Sequence, residues 1–598
     1  MTRRASLHVA VNLVFMTAMA LSAHQTPVRD AAAPPRPVGT GRIAGTVLDD
    51  VTGKPLRRAS VSLSNAEFGI SLTAVTDETG TFTFADLPDG RYNLGAGKPT
   101  YIGMSYGATK PQRPGTGIVV SSSQPVTGVT LRLAPGAVIT GTVRNRLGEP
   151  VPDARLQVMR FAPDYQTGLR TLVGVRTEGT PFGQPTDDRG TYRLFGLPAD
   201  DYYVLVTIGI GGRLGEDVIR EITTADVDWA TRALQSPAPL APAPAPGPAV
   251  DYAPIFYPGV STQTAATMIT VKAGEERSGI DIVLDRTPMG KITGTIVSPD
   301  GPVPSTLLVN IVANDAIPGI PFSGFGNARV DASGQFRSGG LSPGDYTITV
   351  RVGAPPSGRA AGPAPGSPLF GLATVSVNGG DVETTVTLAR GVTVSGRLVF
   401  EGTTVKPPAD LTKIRVTLTA ARGRTPSLGV PAAAVDGAGM FTFTGVTPGR
   451  YTLTASGAGG WFVRSATLSG AESLDVPVEI GQTDVSGAEI KFSDVTTEVS
   501  GDLLDAANRP APGFFIILFP ADRQFWVPQS RRIQSVRPGS DGKFKASNLP
   551  PGEYYIAAVT DVEQSEWFDP NFLAQLVGAA TKITLAEAEK KVQSLRIR

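Results

Sequence analysis

At 598 residues the chain is too long for one hydrophobic core, and its 54 basic and 53 acidic residues leave a formal net charge of +1. That balance gives no electrostatic ground for nucleic acid or an acidic membrane surface as partner. The absence of cysteine excludes disulfides, thiolate metal sites, thiol catalysis and a lipid anchor on an N-terminal Cys, while 69 Gly and 51 Pro point to turn-rich β structure.

Residues 1–23 read as a secretory signal peptide. Arg3 and Arg4 precede an apolar run from Leu7 to Leu21, and the small residues around Ala18 and Ala20 offer a cleavage site. The run is shorter than the ~20 residues that span a bilayer, so cleavage is expected over anchoring. Elsewhere no stretch is apolar enough to cross a membrane, and the mature protein is expected in the periplasm or outside the cell. Residues 24–40, rich in Pro and Ala, read as a flexible leader.

From Gly41 the pattern changes. Arg42-Ile-Ala-Gly-Thr-Val-Leu48 is a strand, Gly53-Lys54-Pro55 a turn, and Ala59-Ser-Val-Ser-Leu63 an alternating strand. Asp77-Glu-Thr-Gly80 is a second turn, Thr81-Phe-Thr-Phe84 a strand, Leu87-Pro-Asp-Gly90 a third turn, and Arg91-Tyr-Asn-Leu94 a strand. This unit occurs five times. Its turn glycine is Gly80, Gly190, Gly334, Gly439 and Gly542. Two residues later stands an aromatic: Phe82, Tyr192, Phe336, Phe441 and Phe544. Twelve residues after the glycine stands a tyrosine: Tyr92, Tyr202, Tyr346, Tyr451 and Tyr554. Five matches at one spacing are an internal repeat. Asp77, Asp187, Asp331 and Asp436 precede their glycines by three residues, whereas the fifth repeat has Asp541 directly before Gly542.

With the strand-like runs between repeats, each unit holds about seven strands in roughly 100 residues, enough for a two-sheet sandwich. The expected fold is all-β: five tandem seven-stranded Ig-like or transthyretin-like β-sandwich domains with a small helical insertion in the second. The expected boundaries are 41–134, 135–286, 287–389, 390–493 and 494–598. The insertion, residues 209–250, carries a helical pattern from Thr224 to Leu234, with Thr224 as N-cap, and then a Pro–Ala spacer. A second helix is expected from Asn571 to Val577, with Asp569 as cap and Pro570 at its first position.

The pieces G-x-V, G-x-P, D-x-x-G-x-F and L-P-x-G-x-Y resemble the carboxypeptidase regulatory-like domain family, a transthyretin-like (prealbumin-like) sandwich. Starch-binding-like domains and collagen-adhesin B-type repeats are similar. The resemblance covers nearly all of residues 41–598 and implies a fold rather than an activity. Such domains accompany a catalytic or transport domain or form extracellular arrays, and no peptidase activity is implied.

The two histidines, His8 and His24, lie in the signal and beside its end. The mature domains therefore lack the imidazole that zinc peptidases and most Ser hydrolases use. Paired acids at Asp49-Asp50, Asp187-Asp188 and Asp200-Asp201 fall at turns, and adjacent residues cannot flank a glycosidic bond. No EF-hand spacing suggests calcium. No catalytic residue, metal ligand or cofactor is expected. Of Trp229, Trp461, Trp526 and Trp567, two lie in segments that set one repeat apart from the others. Trp461-Phe462 and Phe525-Trp526 are the candidate ligand-binding residues, as stacking platforms for a sugar. The expected role is that of an exported, non-catalytic binding or spacing element whose partner is a polysaccharide or an envelope protein. A stalk or adhesin binding another protein is the alternative, a carboxylate-dependent hydrolase the remote one, and the oligomeric state is left open.

Overall fold

A computed structural model describes residues 39–597, apart from 112, 166–167, 176–183, 209–219, 221, 236–241, 246, 248, 300, 305–306, 315–324, 332, 353–368, 403 and 422–432. The expected signal peptide, residues 24–38 of the expected leader and much of the Pro–Ala spacer thus lie outside the described residues. The protein is a multidomain β-sandwich.

The first repeat shows the plan. Its opening strand Gly41–Asp49 alternates buried and outward positions because Ile43, Gly45 and Val47 share one face. It pairs antiparallel with Thr81–Leu87 and parallel with Val126–Leu133, which makes one sheet. The facing sheet is ordered Ile70–Val75, Ser60–Asn65, Gly90–Gly97, Met104–Ser105, with Ile118–Val120 also on Gly90–Gly97. Between them lies a core of Ile43, Val61, Leu63, Phe82, Tyr92 and Leu131 among others. The fourth and fifth repeats also pair two sheets. In the third repeat the two sheets join into a closed seven-stranded ring. Its strand Leu369–Val377 is long enough to pair with Gly344–Val352 along most of its length and with Val382–Arg390 at its start. Gly371 permits that crossing, since a Cβ there would lie 2.7 Å from Val386 Cγ1.

The repeated residues act together. Each turn glycine has positive φ, from +71° at Gly190 to +82° at Gly334, a conformation that only glycine adopts at no steric cost. In four repeats the preceding aspartate caps the turn. Asp436 Oδ1, for example, accepts from the backbone N–H groups of Ala438 and Met440 at 2.9 and 2.8 Å. In the fifth repeat Gly539 occupies that place, and the turn closes through Gly539 N–H to the Lys543 carbonyl. The inward aromatic lies directly across from the opening-strand glycine in every repeat: Gly45 with Phe82, Gly141 with Tyr192, Gly294 with Phe336, Gly396 with Phe441, Gly501 with Phe544. The ring fills the space a side chain would take, and a Cβ on Gly396 would meet Phe441 Cζ at 2.6 Å and the Ala488 carbonyl oxygen at 2.1 Å. Each corner tyrosine is buried and donates its hydroxyl to the carbonyl four residues before it. The acceptors are Pro88, Pro198, Ser342, Thr447 and Pro550, at 2.7–2.9 Å.

The insertion helix spans Thr224–Gln235 and buries no residue. Its cap is Thr223, one residue before the expected Thr224. The Thr223 carbonyl accepts from Val227 N–H, and Asp226 Oδ2 accepts from Thr223 N–H at 2.8 Å, a reciprocal closure. The second helix, Pro570–Leu576, has Asp569 as its cap and Pro570 in its first turn. None of the described helices is long and apolar enough to cross a membrane.

Candidate functional site

The fifth repeat has two cores. Its strand Phe515–Pro520 is buried at all six positions rather than at alternate ones. Ile516 and Leu518 face the sandwich interior, and Phe515, Ile517 and Phe519 face a second cluster closed by Trp526, Ile533, Val562, Phe568 and Leu573. Trp526 is therefore packed, only 6% exposed, edge-on to Phe519, with its indole N–H donating to the Pro520 carbonyl at 2.8 Å. Phe525 is half-buried beneath the Arg532 guanidinium, 4.4 Å from its ring centre. In the fourth repeat Trp461, 7% exposed, plugs one end of the core. It meets Phe400 edge-on at 5.1 Å, donates to the Lys406 carbonyl at 3.3 Å, and fits because Gly402 has no side chain to collide with it. Phe462 turns the other way and is 39% exposed. Trp567 is half-buried in the second core of the fifth repeat, and Trp229 is half-buried on the insertion helix.

The paired acids have local duties. Asp49 Oδ1 accepts from Val51 and Thr52 N–H, and Tyr101 donates to its other oxygen; the Thr52 bond foremost holds its carboxyl below the usual range. Asp187 caps its turn through Arg189 and Thr191 N–H, and Asp201 accepts from the Thr270 hydroxyl.

The Trp461 and Trp526 segments meet at the boundary of repeats four and five. Asp475, with no exposed side-chain surface, takes Arg531 Nε on one oxygen and Arg532 Nε on the other, both at 2.7 Å. Arg531 goes on to donate to the carbonyls of Val463 and Arg464, directly after Trp461-Phe462, at 2.9 and 2.8 Å. Arg464 reaches Glu587 at 2.8 Å.

The fifth repeat also reaches far back in the chain. Arg113 of the first repeat bonds Asp561 at 2.8 Å and Glu563 at 3.3 Å, and Lys110 bonds Asp561 at 3.0 Å. Burial alone would lower the Arg113 pKa, but the two carboxylates outweigh it and raise it; burial would raise Asp561, and Arg113 and Lys110 hold it below the usual range. From the second repeat, Arg160 lies 3.2 Å and Arg170 3.7 Å from Glu563. Arg537 donates to the carbonyls of Pro114 and Gly107, and Arg91 to that of Lys543. Gln529 donates to the Tyr165 carbonyl at 2.7 Å. Arg113, Arg531, Arg532, Arg537, Asp475, Asp561 and Glu563 are the residues that sequence reasoning missed. One signal was present, the crowding of Arg531, Arg532 and Arg537 into a stretch where the other repeats carry no such run.

What this arrangement does chemically is to hold. Each of these carboxylates faces a guanidinium or ammonium, and the carbonyls it draws in are backbone groups. On the second repeat a separate groove of about 720 Å³ is lined by Tyr257, Met268, Lys272, Glu275 and Arg277, with Glu275 tied back to Lys272 N–H at 2.8 Å.

Residues 42–134 match the carboxypeptidase regulatory-like domain family. The matched region holds Gly45, Gly80, Phe82 and Tyr92, and each of the four later repeats carries a turn glycine, an aromatic two residues on and a tyrosine twelve residues on. No curated protein sequence matches the chain. Among solved structures, the Bacillus anthracis TIE protein is 12% identical over 77% of this chain and 74% of its own, with a TM-score of 0.14. The Streptococcal ancillary pilin is 10% identical over 58% and 98%, at a TM-score of 0.20. BcpA, the major pilin subunit of Bacillus cereus, is 11% identical over 77% and 98%, at 0.15.

Proposed function

We propose that the protein is an exported, non-catalytic β-sandwich protein that serves at the cell envelope as a structural and binding element, with another protein as its partner. Its repeats are read as five domains, 41–134, 135–286 (with the insertion at 209–250), 287–389, 390–493 and 494–598, after a signal peptide over 1–23 and a leader over 24–40. The observation that carries this reading is the use made of the distinctive aromatics. Trp461 and Trp526 have their faces packed and their N–H groups bonded to backbone carbonyls, so neither indole offers a sugar a platform. The shared glycines, aromatics and tyrosines are spent on turns, strand crossings and corners, and the mature sequence has no histidine beyond His24.

A polysaccharide partner keeps one observation in its favour, the exposed ring of Phe462. Residues 25–598 offered to a glycan array and used as bait for envelope proteins separate the two readings. The proposal expects a specific envelope protein to be retained and no glycan to be. Glycan retention abolished by Phe462→Ala would overturn the choice of partner. Hydrolysis of any polysaccharide, lost on changing one acid, would overturn the non-catalytic reading.

A further inference from the structure

We propose that the fifth repeat is a releasable clasp, which holds the first and second repeats by polar contacts and lets go of them, without any repeat unfolding, when ionic strength rises. The inference goes beyond the role proposed above and stands whichever partner the protein has.

Among the described residues the hydrophobic clusters do not cross between repeats. The main cores fall within 43–133, 137–284, 292–388, 392–492 and 499–585, and the two smaller clusters belong to the second and fifth repeats alone. Among the described residues, what links the first two repeats to the fifth is mainly ionic and hydrogen-bonded, with Phe568 against Gly168 as an apolar contact. Arg113, Arg160 and Arg170 stand on one side, and Asp561, Glu563 and Glu566 on the other. All three acids lie within one six-residue stretch, so a single segment receives cations from two repeats. A surface of this make-up resembles the interfaces that form and separate, not those that fold as one core.

Salt acts on it selectively. The junction keeps partial access to water, with 29% of the Asp561 side chain, 14% of Glu563, 49% of Arg170, 19% of Arg160 and 9% of Arg113 exposed. The Debye length falls from ~10 Å at 0.1 M to ~3 Å at 1 M, which weakens pairs that solvent can reach. The contact between repeats four and five is of another kind. Asp475 is wholly buried between two arginines, one of which also bonds two carbonyls, and the two repeats are consecutive in sequence. It is expected to persist. The contact to the first repeat closes a loop of 448 residues between Arg113 and Asp561, so opening it changes the dimensions of the whole molecule.

The natural absence of cysteine makes the test clean. Glu67→Cys in the first repeat and Lys590→Cys in the fifth, both exposed, accept a pair of spin labels in the full mature chain. At about 50 mM salt the expected result is one narrow distance distribution. At about 1 M salt it should give way to a broad, longer one, with far-UV circular dichroism unchanged. Asp561→Lys with Glu563→Lys should produce the broad distribution already at low salt, and Arg113→Glu with Arg160→Glu in that background should restore the narrow one. The salt titration of the unreversed junction decides. A narrow distribution that survives 1 M salt overturns the proposal, as does a broad one at low salt.

Discussion

Each corner tyrosine does two separable things. Its ring fills the core, and its hydroxyl satisfies a carbonyl at the point where one sheet passes to the other. For Tyr451, 2% exposed and 2.8 Å from the Thr447 carbonyl, the contributions can be taken apart. Tyr451→Phe should cost about 1 kcal/mol, the net worth of one hydrogen bond, and Tyr451→Ala about 3–5 kcal/mol, the cost of a large cavity. Urea unfolding of residues 390–493 measures both, and equal losses for the two variants would contradict the division. Burial also pushes the Tyr554 hydroxyl up to about 12. An unfolded tyrosine ionises near ~10. Because the folded value is the higher, the stabilisation is complete below about pH 10 and is lost as pH rises from there to about 12. An alkaline titration followed by near-UV absorbance should show the fifth repeat destabilised across that window, and Tyr554→Phe should flatten the dependence. These residues were legible in the sequence since turn, aromatic and tyrosine are close neighbours and their spacing survives intact in every copy. The direction of an indole is not written so locally. Trp461 and Trp526 stood out as unshared aromatics, and what decides their exposure is whether Gly402 leaves room and whether the outer face of a strand is covered.

At the scale of elements, the strand Phe515–Pro520 carries information that alternation alone does not use. Five apolar residues in succession before Pro520 mean burial on both faces. The 3-10 turns at Arg523–Phe525 and Glu566–Phe568 and the helix Pro570–Leu576 supply the covering layer. The second repeat does the same on a smaller scale with Met159, Leu172, Leu205 and Phe256. The helix at residue 570 was readable from its Asp-Pro start, since cap and first turn are set by neighbours in sequence. What it packs on was not, because that depends on a strand some 55 residues away. A test at this scale concerns Asp475. Asp475→Asn removes one charge and leaves two guanidinium groups facing each other, at a cost of about 3 kcal/mol, the low end for a buried pair because Arg531 retains 28% exposure. Calorimetry on residues 390–598 should register it in the transition that the fourth and fifth repeats share. Wild-type behaviour would mean that the pair carries no stability.

Over the whole molecule, the repeat count and the succession of strands and turns within a repeat come from periodicity, which one sequence displays. The packing of the fifth repeat against the first, second and fourth does not, because it joins residues such as Arg113 and Asp561 that no local pattern connects. A row of identical units suggests a linear string, and the chain instead turns back on itself. The cores being separate, residues 390–493 should fold alone and unfold cooperatively in urea; a gradual, non-cooperative transition would show the fourth core to be incomplete without its neighbours.

The polarity of the junction has a consequence for the order of events during biosynthesis. A chain is made from its N-terminus at roughly 5–20 residues per second, so the face around Arg113 and Arg160 exists for roughly 20 to 90 seconds before Asp561 and Glu563 emerge to meet it. An apolar face left waiting that long would be a target for aggregation. Arginines and lysines can wait in water until the fifth repeat is made and its acids reach them.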